Sequence, residues 1–267
     1  MPASTIKVNS SLCLRVFVGP NGSGKSTVIQ YVRDQKVNGR PIDFGIYINA
    51  DDIAKDLRES NFSFDNYDIE VSPNEFVRIV LESGLISKEF DVATFQKSYT
   101  LKDNILKLRN KGADERLAQI IADFLRKKLL LEKKKFSFET VFSHQSKLDI
   151  MRQAASLGYK VYLYFVSTES PHINTFRVEA RKAKGGHDVP KDKIISRYYR
   201  SLELLYEASQ IAYQAYYFDN SEEGQDFKMF AHFKRADKKM KWDKRNKKSD
   251  PVWFKKYYSV KEASKIE

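Results

Sequence analysis

One cysteine, Cys13, stands among the 267 residues, so no disulfide can close within the chain, and a reducing setting is expected. Cys13 lies in an apolar run and reads as a small core thiol rather than a nucleophile. Histidine is as scarce: the four are scattered, without the spacing of a metal site. No run approaches the roughly 18 apolar residues of a membrane helix. The first residues lack the basic start, uninterrupted apolar stretch and small-residue cleavage site of a secretory signal. A soluble, cytoplasmic protein with no membrane association is the expectation. Internal repeats are missing too. Hydrophobic residues make up 42% and aromatics 13%, which excludes a disordered composition and provides for a core.

Positive charge is in excess. Of the net +12, +8 falls from residue 226 onward, where 14 Lys and Arg face 6 Asp and Glu. Such a surface attracts nucleotides, nucleic acid or acidic proteins. Trp242, Trp253, Phe254, Tyr257 and Tyr258 are interleaved with this charge. They could stack bases, making nucleic acid a partner of the basic tail, or dock the tail onto the domain.

β-rich runs alternating with helical patterns predict an α/β protein with a mainly parallel sheet. Strands are expected at 12–18, 44–48, 136–142, 160–167 and 215–218, with a late strand or hairpin arm at 227–233. Helices are expected at 24–35, 117–135, 145–156, from Ser170-Pro171, and from Pro190 to about 213. The polar stretch 55–116 interrupts the alternation and reads as a helical insertion, because a structureless loop of that length is improbable. The domain reading is a core of 1–54 and 117–233, a helical insertion of 55–116 and a basic tail of 234–267.

Gly19-Pro20-Asn21-Gly22-Ser23-Gly24-Lys25-Ser26, followed by Thr27, fits G-x-x-x-x-G-K-[ST] in full. Glycines let the backbone wrap a phosphate with its N–H groups inward, and the next helix aims its positive end at the same point. Lys25 then reaches the β- and γ-phosphates, and the Ser26 hydroxyl ligates Mg²⁺. Average residue frequencies produce the pattern by chance in roughly one chain in a hundred. Here it also follows a strand and opens a helix. A purine nucleoside triphosphate with Mg²⁺ is implied, ATP in preference to GTP.

The chemistry must come from elsewhere in the chain. Asp51 and Asp52 follow the second strand, where a carboxylate can take a proton from an attacking hydroxyl; Asp51 is the favoured base. Helix capping is the alternative explanation of such a pair. Glu139, inside an apolar strand and followed by Thr140, needs a buried partner: a substrate hydroxyl, hydrated Mg²⁺ or an internal salt bridge. Arg177 and Arg181, and Arg197 with Arg200, lie on helices flanking Gly185-Gly186. They could form a mobile lid that neutralises a transferring phosphoryl group, or be ordinary solvated arginines.

Together GPNGSGKST, INADDIA, FETVFSH, RKAKGGHDVPKDKIISRYYRSLELL and YYFDNS resemble the zeta-toxin family and its small P-loop kinase relatives. The resemblance covers about 12–54 and 136–221. It implies an adenylate-kinase-like P-loop fold and transfer of the ATP γ-phosphate to a hydroxyl of a small acceptor, in the family a UDP-N-acetyl sugar. A small helical antitoxin is the implied protein partner. By position, Lys25 and Ser26 hold ATP-Mg, Asp51 is the base, and Glu139 is the acid that binds substrate. Arg181, Arg177 and Arg197 are the phosphate clamps. The alternatives are a regulatory ATP-binding module engaging an acidic protein or RNA, and a polynucleotide 5′-hydroxyl kinase.

Overall fold

The computed structural model describes residues 12–185, 189–236 and 239–264. The apolar run at the start forms β1 (Cys13–Val18), and the glycine-rich loop leads into α1 (Lys25–Asp34). A small hairpin, β2 (Lys36–Val37) with β3 (Arg40–Pro41), precedes β4 (Ile46–Ile48) and α2 (Ala50–Glu59). Then come β5 (Phe62–Ser63), α3 (Pro73–Leu81), α4 (Val92–Lys97), β6 (Tyr99–Lys102), β7 (Ile105–Leu108) and the long α5 (Asp114–Leu131). Alternation resumes with β8 (Phe136–Thr140), α6 (Ser146–Ser156), β9 (Lys160–Ser167) and α7 (Pro171–Ala183). It continues through α8 (Lys191–Glu203), α9 (Leu205–Ile211) and β10 (Gln214–Asp219). β11 (Lys228–Ala236) and β12 (Lys239–Lys244) precede a helical segment whose parts are Val252–Phe254, a π-helical turn Lys255–Ser259, and Val260–Ala263.

The chain falls into two compact units. One comprises the residues up to Phe44 and those from Ser137 on, the other Gly45–Phe136. In the first, the strands are ordered β12-β11-β10-β9-β1-β8. β1 with β9, and β9 with β10, pair in parallel, while β11 and β12 extend the edge antiparallel. β1 and most of β9 are buried, as expected of parallel strands covered by helices. Helix α1 packs on β1, and α6 and α9 pack on β9. Both sheet neighbours of β1 come later in the chain, so the loop after β1 opens where strand order reverses, the usual ligand crevice of such sheets.

One face of the sheet carries an aromatic row. Phe17, Tyr164, Tyr216 and His232 stand opposite one another on four successive strands. Their rings stack with centroids 4.5, 4.8 and 4.1 Å apart.

Of the expected basic tail of 234–267, the described residues 234–236 and 239–264 are integrated into this unit. They complete β11, supply β12 and end in the helical segment. Trp253, Phe254 and Tyr258 are buried, with Phe254 stacked on Tyr258 at 4.6 Å and both beside Tyr217. Arg245, its side chain only 2% exposed, pairs with Asp250 at 3.0 Å and Glu262 at 2.9 Å. Its guanidinium also covers the Trp242 ring at 4.5 Å. Charge dominates the segment's composition, but the aromatics at helical spacing set its packing.

The second unit differs from the expected helical insertion: α3 and α4 share it with an antiparallel sheet ordered β5-β7-β6. Asp103 and Asn104, with φ of 49° and 61°, form the two-residue turn between β6 and β7, the left-handed pair that hairpins favour. Phe64, Phe76, Phe95, Tyr99 and Phe124 cluster in edge-to-face and tilted contacts at its centre. Elsewhere the expected elements stand within a few residues of their places. The helix expected from Pro190 is two, α8 and α9, divided at Leu204. The strand expected to reach residue 142 stops at Thr140, and buried Phe142 takes a left-handed φ of 62°. Among the described residues no helix is long and apolar enough to cross a membrane.

Candidate nucleotide site

Helix α1 begins at Gly24, and no side chain caps it. The amides of its first turn therefore have neither an intrahelical partner nor a side-chain substitute, and they present the positive end of the helix dipole. Two asparagines hold the loop that precedes them. Asn174 Nδ2 donates to the Asn21 carbonyl at 2.5 Å, and Asn220 Nδ2 donates to the Ser23 carbonyl at 2.9 Å. The loop can lie this close only because of its glycines. Gly22 (φ 73°) and Gly24 (φ 93°) have left-handed backbone, and a Cβ on either would collide with Asn174 or Asn220 respectively. The buried Ser23 hydroxyl lacks a hydrogen-bond partner among the described residues.

Lys25 is 8% exposed. Its ammonium donates to the Pro20 carbonyl at 3.0 Å and lies 3.8 Å from a Glu139 carboxylate oxygen. The lysine is thus folded over its own loop, beside the acid at the end of β8. Thr140 next to it is half-buried, and Ser26 and Thr27 are exposed at the mouth of the helix.

Arg197, on α8, is the half-buried arginine beside this loop, with Nη1 3.5 Å from Asn21 Oδ1. Burial foremost, and then neighbouring Arg200, pull its pKa below the ordinary arginine range. Among the described residues no carboxylate lies within ion-pair distance of it. Arg177 donates instead to the carbonyls of Asn220 (2.7 Å) and Glu222 (3.5 Å), which ties α7 to the loop after β10. Arg181 is exposed one turn further along α7. Of the expected glycine pair, Gly185 closes α7 with φ 83°, and Gly186 lies outside the described residues.

Asp51 and Asp52 belong to the second unit, in the first turn of α2, and both are exposed. The cap of that helix is Asn49, whose Oδ1 accepts from the Asp51 amide at 2.9 Å. Neither aspartate is therefore needed as a cap, the alternative role considered for them. Asp52 contributes, after burial and Asp56, to raising the Tyr67 pKa.

Asn174 and Asn220 are the loop-holding residues that sequence reasoning missed. Asn174 is wholly buried inside a helix, an environment in which asparagine is uncommon. Its Oδ1 accepts from the Thr168 hydroxyl, and Thr168 O accepts from Tyr198 Oη at 2.6 Å.

No protein-family model matches the chain, and no curated protein does. Among solved structures, chains of the AvrRxo1-ORF1:AvrRxo1-ORF2 complex are similar. In the native complex the TM-score is 0.53, at 13% identity over 87% of this chain and 61% of that one. The complex with sulphate ions gives 0.51 at 12%, over 88% and 62%. The complex with ATP gives 0.51 at 14%, over 84% and 59%. This chain thus spans less than two thirds of the length of its structural neighbours. What the likeness shows at such identities is a common fold, the helix-flanked, largely parallel sheet described above.

Proposed function

We propose that this protein is an ATP-dependent phosphotransferase of zeta-toxin type, which moves the γ-phosphate of ATP to a hydroxyl of a small acceptor. Arg197 carries the reading: a partly desolvated cation with a neutral asparagine as its loop contact and, among the described residues, no carboxylate beside it. A charge held in that way needs an anion, and the adjacent glycine loop and uncapped start of α1 are built to bring a phosphate there. The ATP present in one structural neighbour supports the choice of nucleotide.

In this reading the amides of Gly22 to Thr27 cradle the phosphates, and Lys25 leaves the Pro20 carbonyl to reach them. Mg²⁺, when bound, neutralises phosphate charge and is held by the exposed Ser26 hydroxyl together with the nucleotide. Among the described residues no group of three His, Cys, Asp or Glu could hold it independently. Arg197 and Arg181 balance charge on the transferring group, and Arg177 braces the loop that carries Asn220. Glu139, with Thr140, faces the acceptor, whose hydroxyl takes the place of Lys25 beside the carboxylate once the lysine turns to phosphate. Asp51 is the base for the acceptor hydroxyl, with Asp52 as its neighbour in the same turn. The acceptor is a UDP-N-acetyl sugar or a related small alcohol. The paired ORF1 and ORF2 chains of the structural neighbours support a protein partner for this chain as well.

The test is incubation with γ-labelled ATP, Mg²⁺ and a panel of UDP-sugars, sugars and nucleosides. A labelled acceptor should form, and should disappear in Asp51→Asn while Mg-ATP binding persists. Loss of ATP by the wild type without any phosphorylated product refutes phosphotransfer to these acceptors. Exposed Lys239, Lys241, Lys247 and Lys248 favour a second reading, a module that grips a polyanion. The inward packing of Trp253, Phe254 and Tyr258 leaves only half-buried Trp242 and Tyr257 for base stacking, so that salt-sensitive attraction carries most of that reading.

A further inference from the structure

We infer that the C-terminal helical segment, through Trp253, is a positioning element of the nucleotide site; this rests on the nucleotide reading above. The two asparagines that hold the phosphate loop are each one step from a carboxylate that this segment engages. Asn220 follows Asp219, whose Oδ1 accepts from Trp253 Nε1 at 2.7 Å and from the Ser221 hydroxyl at 2.8 Å. Asn174 is held by Thr168, and the next residue, Glu169, accepts from the amides of Val252 at 2.8 Å and Trp253 at 3.3 Å. The two arms are cross-linked, since the Glu169 amide donates to the Ser221 hydroxyl at 2.9 Å.

The geometry makes Trp253 the point where both arms meet. Its indole nitrogen holds the end of β10, and its amide holds the loop after β9. Its ring is 2% exposed and anchored on Phe165 at 5.8 Å and Phe230 at 5.6 Å. Both asparagines lie in van der Waals contact with the loop glycines, at positions where even a methyl group would not fit. A displacement at Asp219 or Glu169 is therefore passed to the carbonyls of Ser23 and Asn21, whose amide neighbours face the phosphates. Hydrogen bonds to a carboxylate are the stronger kind, and the segment spends three of them on these two loops.

Trp253→Phe keeps an aromatic six-membered ring in the core and removes the five-membered ring with its Nε1–H donor. Mg-ATP affinity is expected to fall about tenfold, the equivalent of one charge-assisted hydrogen bond, while the thermal midpoint falls modestly and the circular dichroism stays close to wild type. Glu169→Gln, which retains an acceptor oxygen, should lose less than Glu169→Ala. Linkage requires a reciprocal signal. The chain has two tryptophans, so in a Trp242→Phe background the emission of Trp253 should change on addition of Mg-ATP and saturate with the binding isotherm. Adenosine, which lacks phosphates, should leave it unchanged. Nucleotide binding that is unaltered in Trp253→Phe, or Trp253 emission blind to bound Mg-ATP, overturns the inference and leaves the nucleotide reading standing. A wild-type protein that retains no Mg-nucleotide overturns both.

Discussion

Replacing Arg197 by glutamine keeps the length and polarity of the side chain near Asn21 and removes the charge. Two unit charges about 4 Å apart interact by about 4 kcal/mol at an effective dielectric constant near 20. Arg197 is partly buried beside a loop whose other groups are amides and one lysine, so that regime applies to it better than bulk water does. Because no carboxylate among the described residues lies beside its guanidinium, the substitution releases no buried counter-charge there, and nearly all of the loss is felt by the anion that binds. The expected fall in kcat/KM for Mg-ATP is therefore about 10² to 10³-fold, with a smaller loss, about tenfold, in binding of Mg-ATP itself. Arg197→Lys should recover part of this, since a point charge returns without the planar fork. Steady-state turnover and equilibrium nucleotide binding measure the two quantities. Arg152→Gln, which breaks an exposed cluster with Asp149 and Glu207, is the control and should change neither beyond about twofold, as surface pairs contribute little. An Arg197→Gln enzyme within about threefold of wild type would show that this cation serves the fold and does not serve the phosphate, and the argument for its role would end there.

Two further outcomes follow from the C-terminal half. Arg245→Ala strands the buried Asp250 carboxylate, and should cost about 3 to 5 kcal/mol of stability by chemical denaturation; Lys261→Ala, at an exposed position, should cost less than about 0.5 kcal/mol, and equal effects would refute the buried-triad account. His232 has its pKa lowered, burial outweighing the attraction of Asp243. The folded state thus favours the neutral ring, and its stabilisation is complete above the unfolded histidine value near 6.5 and is lost as pH falls from there through the folded value. His232→Gln should flatten the stability profile across that acid limb, and an unchanged slope would refute the assignment.

Much of the nucleotide cradle was legible because its physics is local. The glycines, Lys25 and Ser26 act through backbone geometry and a spacing of eight residues, and the strand before and helix after them are periodic. The residues that hold the loop were not legible. Asn174 and Asn220 lie about 150 and 200 residues further along the chain, and nothing in their own neighbourhood distinguishes them from an ordinary helix asparagine and an ordinary turn asparagine. Arg177 shows the converse difficulty: its spacing from Arg181 suggested a phosphate contact, but its donors are directed at the carbonyls of Asn220 and Glu222. The hairpin of Tyr99–Leu108 did carry a readable signal, alternating residues around Asp103-Asn104, which the high polarity of the surrounding stretch obscured. The C-terminal segment was obscured by charge in the same way. Its lysines dominate composition, while four aromatics and one buried arginine determine where it goes.

The aromatic row across the sheet has a bearing on the loop that follows β1. Phe17 is its member on that strand, two residues before Gly19. Sliding β1 along β9 by a single position would turn Phe17 to the opposite side and break its stack on Tyr164. The rings therefore act as a detent for the strand, and the starting point of the phosphate loop is set by interlocked side chains on neighbouring strands before any nucleotide arrives.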